Sequence, residues 1–163
     1  MPKTWVEQLG PDTIAMFEKA AVQRLEEGEF LSERYGLTAV YLYGYAAEMI
    51  LKAAYFRNLG YNRLVEIDRG ARNRAHASAQ ANGFMSRDPH DILGWARLLN
   101  WYKETLYPSA YEPKLSGKIV TNALTVYENW RPQMRYRNIF PAPEKVFAVR
   151  AAAAWMIDNY HKM

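Results

Sequence analysis

Cysteine is absent from the 163 residues. That removes disulfide staples, thiolate metal sites and thiol nucleophiles, and it fits a reducing compartment. Long apolar runs are missing too. The uncharged stretch near the middle, Tyr35 to Ala47, is shorter than the roughly 20 residues a membrane span needs. The start, Met1-Pro2-Lys3-Thr4-Trp5, has no apolar core of the kind a signal peptide carries. The expectation is a cytoplasmic protein that stays out of membranes. Strand signals are scarce: no alternating Val/Ile/Thr runs are bounded by Asn-Gly or Asp-Gly turns. No Gly-x-x-x-x-Gly-Lys-[Ser/Thr] loop and no Gly-x-Ser-x-Gly elbow occurs, so a Walker-type nucleotide site and a serine-hydrolase elbow are excluded. Histidine is limited to His76, His90 and His161, which are far apart. His90-Asp91 resembles the centre of an HD phosphohydrolase motif, but that chemistry needs further ligands on other helices. No metal and no other cofactor is expected.

Apolar residues are plentiful, at 50% of the chain, against 23% charged. This is enough for a sizeable core in one domain and rules out a disordered chain. The charge is lopsided. Residues 1–33 hold three basic and seven acidic side chains, and the rest hold 18 basic and 10 acidic ones, for a net charge of +4. Such asymmetry suggests an acidic face and a basic face, and basic faces attract phosphates and nucleic acid.

The periodicity is helical. A first helix starts near Asp12, with Ile14, Phe17, Ala21 and Leu25 on one face and Gly28 as its end or bend. A second runs from about Leu37 to Leu59 and stops at Gly60. It is apolar nearly all round, as a central buried helix is. Its exceptions are Glu48 and Lys52, spaced for an i,i+4 ion pair. Gly44 within it costs about 1 kcal/mol relative to Ala, which implies close approach of a neighbouring helix. Residues 61–87 read as a basic, mobile connection, with a short helix around Asn62–Asp68. A third helix follows, with Asp88 as N-cap, Pro89 at N1 and Asp91 at N3. It ends at Pro108. A fourth spans about Pro113–Ser116 to Trp130. A final helix ends near His161, with Val146, Val149, Ala153, Met156 and Tyr160 as a packing seam. The expected fold is therefore all-α: an up-and-down bundle of about five helices in one domain, residues 1–163.

Two groups carry the chemistry. Glu48, on so apolar a helix, is expected to touch Lys52 or one of Arg131, Arg135 and Arg150, because an unpaired buried carboxylate is costly. Arg131, Arg135, Tyr136 and Arg137, between prolines at a helix break, are expected to form an anion site. Guanidinium forks suit phosphate, and an interleaved aromatic can stack on a base.

Beyond these readings, the chain resembles the HEPN family of small all-α domains. The resemblance lies in Tyr45-Ala46-Ala47-Glu48-Met49-Ile50-Leu51-Lys52-Ala53, in His90-Asp91-Ile92-Leu93 with Leu98, and in Trp130-Arg131-Pro132 with Met134-Arg135-Tyr136. An Ala-rich last helix with Trp155 completes it, and the span is residues 17–160. It implies a helical bundle, frequently a homodimer. It also implies either a metal-independent ribonuclease or a non-catalytic module that binds RNA, nucleotide or a nucleotidyltransferase partner. The family's ribonucleases carry Arg, a polar residue and then His after four to six positions. Here Arg137-Asn138 has no following His. Arg69 and His76 have six residues between them, but Gly70 follows the Arg, and Arg72-Asn73-Arg74-Ala75-His76 has only three positions between Arg72 and His76. A non-catalytic binding module is the expectation. The alternative is a ribonuclease, as a toxin or defence component, using Arg69 or Arg72 with His76. A second alternative is a helical interaction domain with no nucleic-acid role.

Overall fold

The computed structural model describes residues 11–137 and 139–163. The N-terminal stretch read for a signal peptide, and Asn138, lie outside them. Six α-helices are packed together among the described residues, and no strand is present. They are α1 (Ile14–Leu31), α2 (Gly36–Asn58), α3 (Arg69–Ala81), α4 (Ile92–Leu106), α5 (Pro113–Asn129) and α6 (Pro143–Asp158). No described helix is long and apolar enough to cross a membrane.

The bundle is organised around α2, which contacts α1, α4, α5 and α6. Its circumference explains this: Val40, Tyr43, Ala47, Ile50, Leu51 and Phe56 point in different directions and are all buried. Gly44 is required by a side chain rather than by a helix backbone. An added Cβ there would collide with the Trp130 ring. The Trp130 indole is buried at the end of α5 and its Nε1 donates to the Tyr41 carbonyl at 3.0 Å.

Three expectations need correction. Gly28 does not end α1, which continues to Leu31. Gly28 is a buried contact point where the Tyr43 ring lies against the helix. The connection 61–87 is not a loop throughout but contains α3, which brings the α-helices of the described residues to six. No large apolar stripe marks α3. It buries the small stripe Ala71, Ala75 and Ala79, packs on α4, and is capped by Asp68, whose Oδ1 accepts from the Ala71 N–H at 2.7 Å. Finally, α4 begins three residues late. Its N-cap is Asp91, whose Oδ1 accepts from Gly94 N–H at 2.8 Å, while Asp88 accepts from His90 N–H at 2.9 Å and closes the preceding turn.

Candidate functional site

The turn that displaces the α4 cap also delivers a side chain. Asp91 caps α4 with one oxygen and accepts from the Ser86 N–H with the other, at 3.3 Å. Trp95, one turn into α4, donates its Nε1 to the Pro89 carbonyl at 3.0 Å. The loop is held at both ends, and His90 is carried onto the polar edge of α2.

There it meets Glu48, whose side chain is 4% exposed. His90 Nδ1 lies 3.0 Å from both Glu48 oxygens. Lys52 Nζ donates to Glu48 Oε1 from one turn further along α2. Burial alone would raise the Glu48 pKa. The His90 hydrogen bond and the Lys52 charge outweigh it and hold the carboxyl below its ordinary range. His90 is raised in turn, chiefly by its hydrogen bond to Glu48. One buried carboxylate thus meets two basic groups, the Lys52 ammonium and the His90 imidazole. The expected Lys52 partner is present. Arg150 instead pairs with Glu29, at 2.6 and 3.0 Å, and Arg131 is turned onto backbone carbonyls; His90 holds the second place beside Glu48.

Lys52 connects this cluster to a cavity of about 280 Å³, between α2, α3 and the loop before α4. Its Nζ stands 5.3 Å from the centre of the Trp95 ring, a second wall of the cavity. From α3 come Arg69, Arg72, Asn73 and His76, which fall on one helix face by their spacing. The alanine stripe that anchors α3 therefore turns its polar face to the cavity. Arg72 is ion-paired with Asp12 at the rim. His76 Nε2 is buried and has no hydrogen-bond partner among the described residues. Among the described residues no carboxylate lines the cavity.

On the other side of the Glu48 cluster runs an aromatic ladder. The Tyr45 ring meets His90, Trp130 and Tyr41 edge to face, with centroids 6.4, 5.2 and 4.9 Å away. Tyr41 donates its hydroxyl to Tyr45 at 3.3 Å. Burial pushes the Tyr45 phenol well above its ordinary pKa, so it stays protonated. The Tyr41 hydroxyl beside Arg135 raises that guanidinium.

The four residues expected to form an anion site are placed differently from one another. Arg131 Nη1 donates to the carbonyls of Tyr127 and Trp130, and its guanidinium lies 3.8 Å from the Tyr127 ring centre. It closes the C-terminus of α5. Arg135 lies over the Tyr136 ring at 4.7 Å, and Arg135, Tyr136 and Arg137 are exposed around a 3-10 turn, Pro132–Tyr136. Arg69, Arg72 and His76, singled out for other reasons, are the ones that share a cavity. Sequence reading missed His90 and the link through Lys52. The available signal was His90 just before a capping Asp91, a place where a loop residue is held rigidly. Among the described residues no three His, Asp or Glu side chains are grouped as a metal site requires. Comparison with family models, curated proteins and solved structures finds no match to the chain.

Proposed function

We propose that the chain is a binding module for phosphate-bearing ligands, an RNA or a nucleotide, and that it binds them at the cavity between α2 and α3. One observation carries this reading: Lys52, Arg69, Arg72 and His76 share the cavity and, among the described residues, no carboxylate lines it. Glu48 neutralises part of the Lys52 charge from behind and leaves the cavity face basic. Arginine supplies a two-pronged donor for a phosphate and lysine a point charge. At about 280 Å³ the space suits a phosphate and its sugar, with the rest of a strand lying outside. The resemblance to HEPN domains supports the same reading.

The test is fluorescence anisotropy with a short labelled single-stranded RNA, titrated at several salt concentrations. Binding is expected to weaken with salt by a slope of about −0.7 per phosphate neutralised. Arg69→Ala with Arg72→Ala should weaken it at least tenfold and flatten the slope, whereas Arg135→Ala with Arg137→Ala should have a smaller effect. Wild-type binding by the Arg69/Arg72 variant would reject the cavity as the site.

A second reading is favoured by one further fact: His76, with its unpartnered Nε2, stands on the same face as Arg69 and Arg72. This is the arrangement a metal-independent ribonuclease would use, with His76 as the proton-transfer group and an arginine on the phosphate. RNA cleavage in the presence of EDTA, lost in His76→Ala, would decide for it.

A further inference from the structure

Arg72 already has an anionic partner. Asp12 stands just before α1, and its carbonyl accepts from the Ile67 N–H at 2.7 Å. That bond fixes the start of α1 against the connection leading into α3, and the Asp12 carboxylate meets the Arg72 guanidinium at the rim of the cavity. Lys52 is shared in the same way with Glu48, which His90 also holds. Arg69 makes no ion pair among the described residues. The cavity therefore carries three cations, Lys52, Arg69 and Arg72, and two of them already face a carboxylate.

Charge then separates two classes of phosphate. An internal phosphodiester carries one negative charge, as a carboxylate does. At Arg72 it exchanges one monoanion for another and gains little. A terminal phosphomonoester carries about −1.5 to −2 at neutral pH. It outcompetes Asp12 for the guanidinium and still has oxygens for Arg69 and Lys52. The oxygen count agrees. A monoester has three non-bridging oxygens and a diester two. His76 Nε2 is buried with no partner among the described residues. With its proton on that nitrogen it can donate to the third oxygen, beside the arginine forks and the Lys52 ammonium. Size agrees too. At about 280 Å³ the cavity is smaller than the usual ligand pocket of roughly 300–1,000 Å³. A strand interior must both enter and leave such a space, whereas a chain end only enters.

We propose that the cavity selects a terminal phosphomonoester, at the end of an RNA strand or on a free nucleotide, over an internal phosphodiester. This rests on the reading of the cavity as the phosphate site and adds which phosphate it takes.

Isothermal titration calorimetry of the full chain tests it with ligands matched in base and sugar. 5′-AMP is a monoester and 3′,5′-cyclic AMP a diester, and 5′-AMP is expected to bind roughly tenfold tighter or more. One RNA sequence with a 5′-phosphate, with a 3′-phosphate and with hydroxyls at both ends carries the test to strands. A phosphorylated strand that binds tighter than the hydroxyl strand supports the proposal and names the end. A gain seen with 5′-AMP alone supports it for free nucleotides. Arg69→Ala should bring the monoester-to-diester ratio close to one, and Arg135→Ala with Arg137→Ala should leave it intact. Asp12→Asn, at a half-exposed side chain, should strengthen cyclic AMP binding more than 5′-AMP binding, because the diester then has no carboxylate to displace. Equal binding within both the nucleotide pair and the strand set would overturn the proposal, and so would a preference that survives Arg69→Ala. Either result leaves the cavity as a phosphate site as long as Arg69→Ala with Arg72→Ala still weakens RNA binding. Loss of that effect would instead reject the site itself.

Discussion

Lys103 and Glu48 are both charged and both buried, yet their surroundings differ in kind. Lys103, on α4, donates to the backbone carbonyls of Lys162 and Met163, each at 3.0 Å. Nearby, Asn58 Nδ2 donates to the same Met163 carbonyl, and Arg57 donates to the Tyr160 carbonyl. Burial and the Arg57 charge push the Lys103 ammonium below its ordinary pKa. Every partner here is a main-chain acceptor, so the cluster ties the last turn of the chain to the bundle. Glu48 has side-chain partners instead. His90 and Lys52 are part-exposed, and Lys52 continues into a cavity. The lesson is that burial of a charge does not itself mark a functional site. What separates the two is whether the partners are fixed acceptors or groups that can exchange a bond for a ligand.

The comparison is sharpened first by stability. Lys103→Met removes two hydrogen bonds from a charged donor and leaves the Lys162 carbonyl without one, while Asn58 still serves Met163; it should cost about 3 kcal/mol, at 1.5–3 kcal/mol for each hydrogen bond to a charged group. RNA affinity of the folded fraction should be unchanged. Urea unfolding and anisotropy on the same sample check both halves, and a loss of affinity in step with stability would break the distinction.

A smaller effect with a different pattern is expected at Glu48. Glu48→Gln keeps the shape and removes the charge that holds Lys52. Stability should fall by about 2 kcal/mol, within the range for a charged hydrogen bond. Affinity for RNA should rise severalfold because the Lys52 charge is no longer offset. Weakened binding would show that the carboxylate organises the cavity more than it neutralises it.

The smallest effect is the pH dependence. His90 has a raised folded pKa, so its contribution is complete below its ordinary value of 6.5 and is lost as pH rises through the raised value. Glu48 has a lowered one, so its contribution is present above 4.5 and is lost as pH falls through the lowered value. The pair should stabilise most between those two ordinary values. His90→Asn should flatten the alkaline decline in urea midpoints measured across pH. An unchanged decline would move the titration to another group.

Much of the bundle was legible because its helices carry large apolar side chains at helical spacing. The all-round apolar character of α2 identified the central helix, and Gly44 announced a close neighbour. Helix α3 was not legible in the same way. Alanine contributes little to an apolar pattern, and Ala71, Ala75 and Ala79 count as a face only once α4 lies against them. The Asp88 cap followed the usual Asp-Pro pattern, yet the real cap, Asp91, was settled by where Trp95 and Ser86 anchor the loop.

By itself, then, the order of residues determined the helical class, the central helix and the i,i+4 pair of Glu48 with Lys52, since each depends on spacing within one segment. The tertiary structure decided which basic groups meet. His90 reaches Glu48 across 42 residues, and Lys52 faces an arginine and histidine face from α3. It also decided that Arg131 caps a helix while Arg135 and Arg137 stay exposed. Charges separated by long stretches of chain meet only where packing turns their faces together, and local spacing carries no record of that.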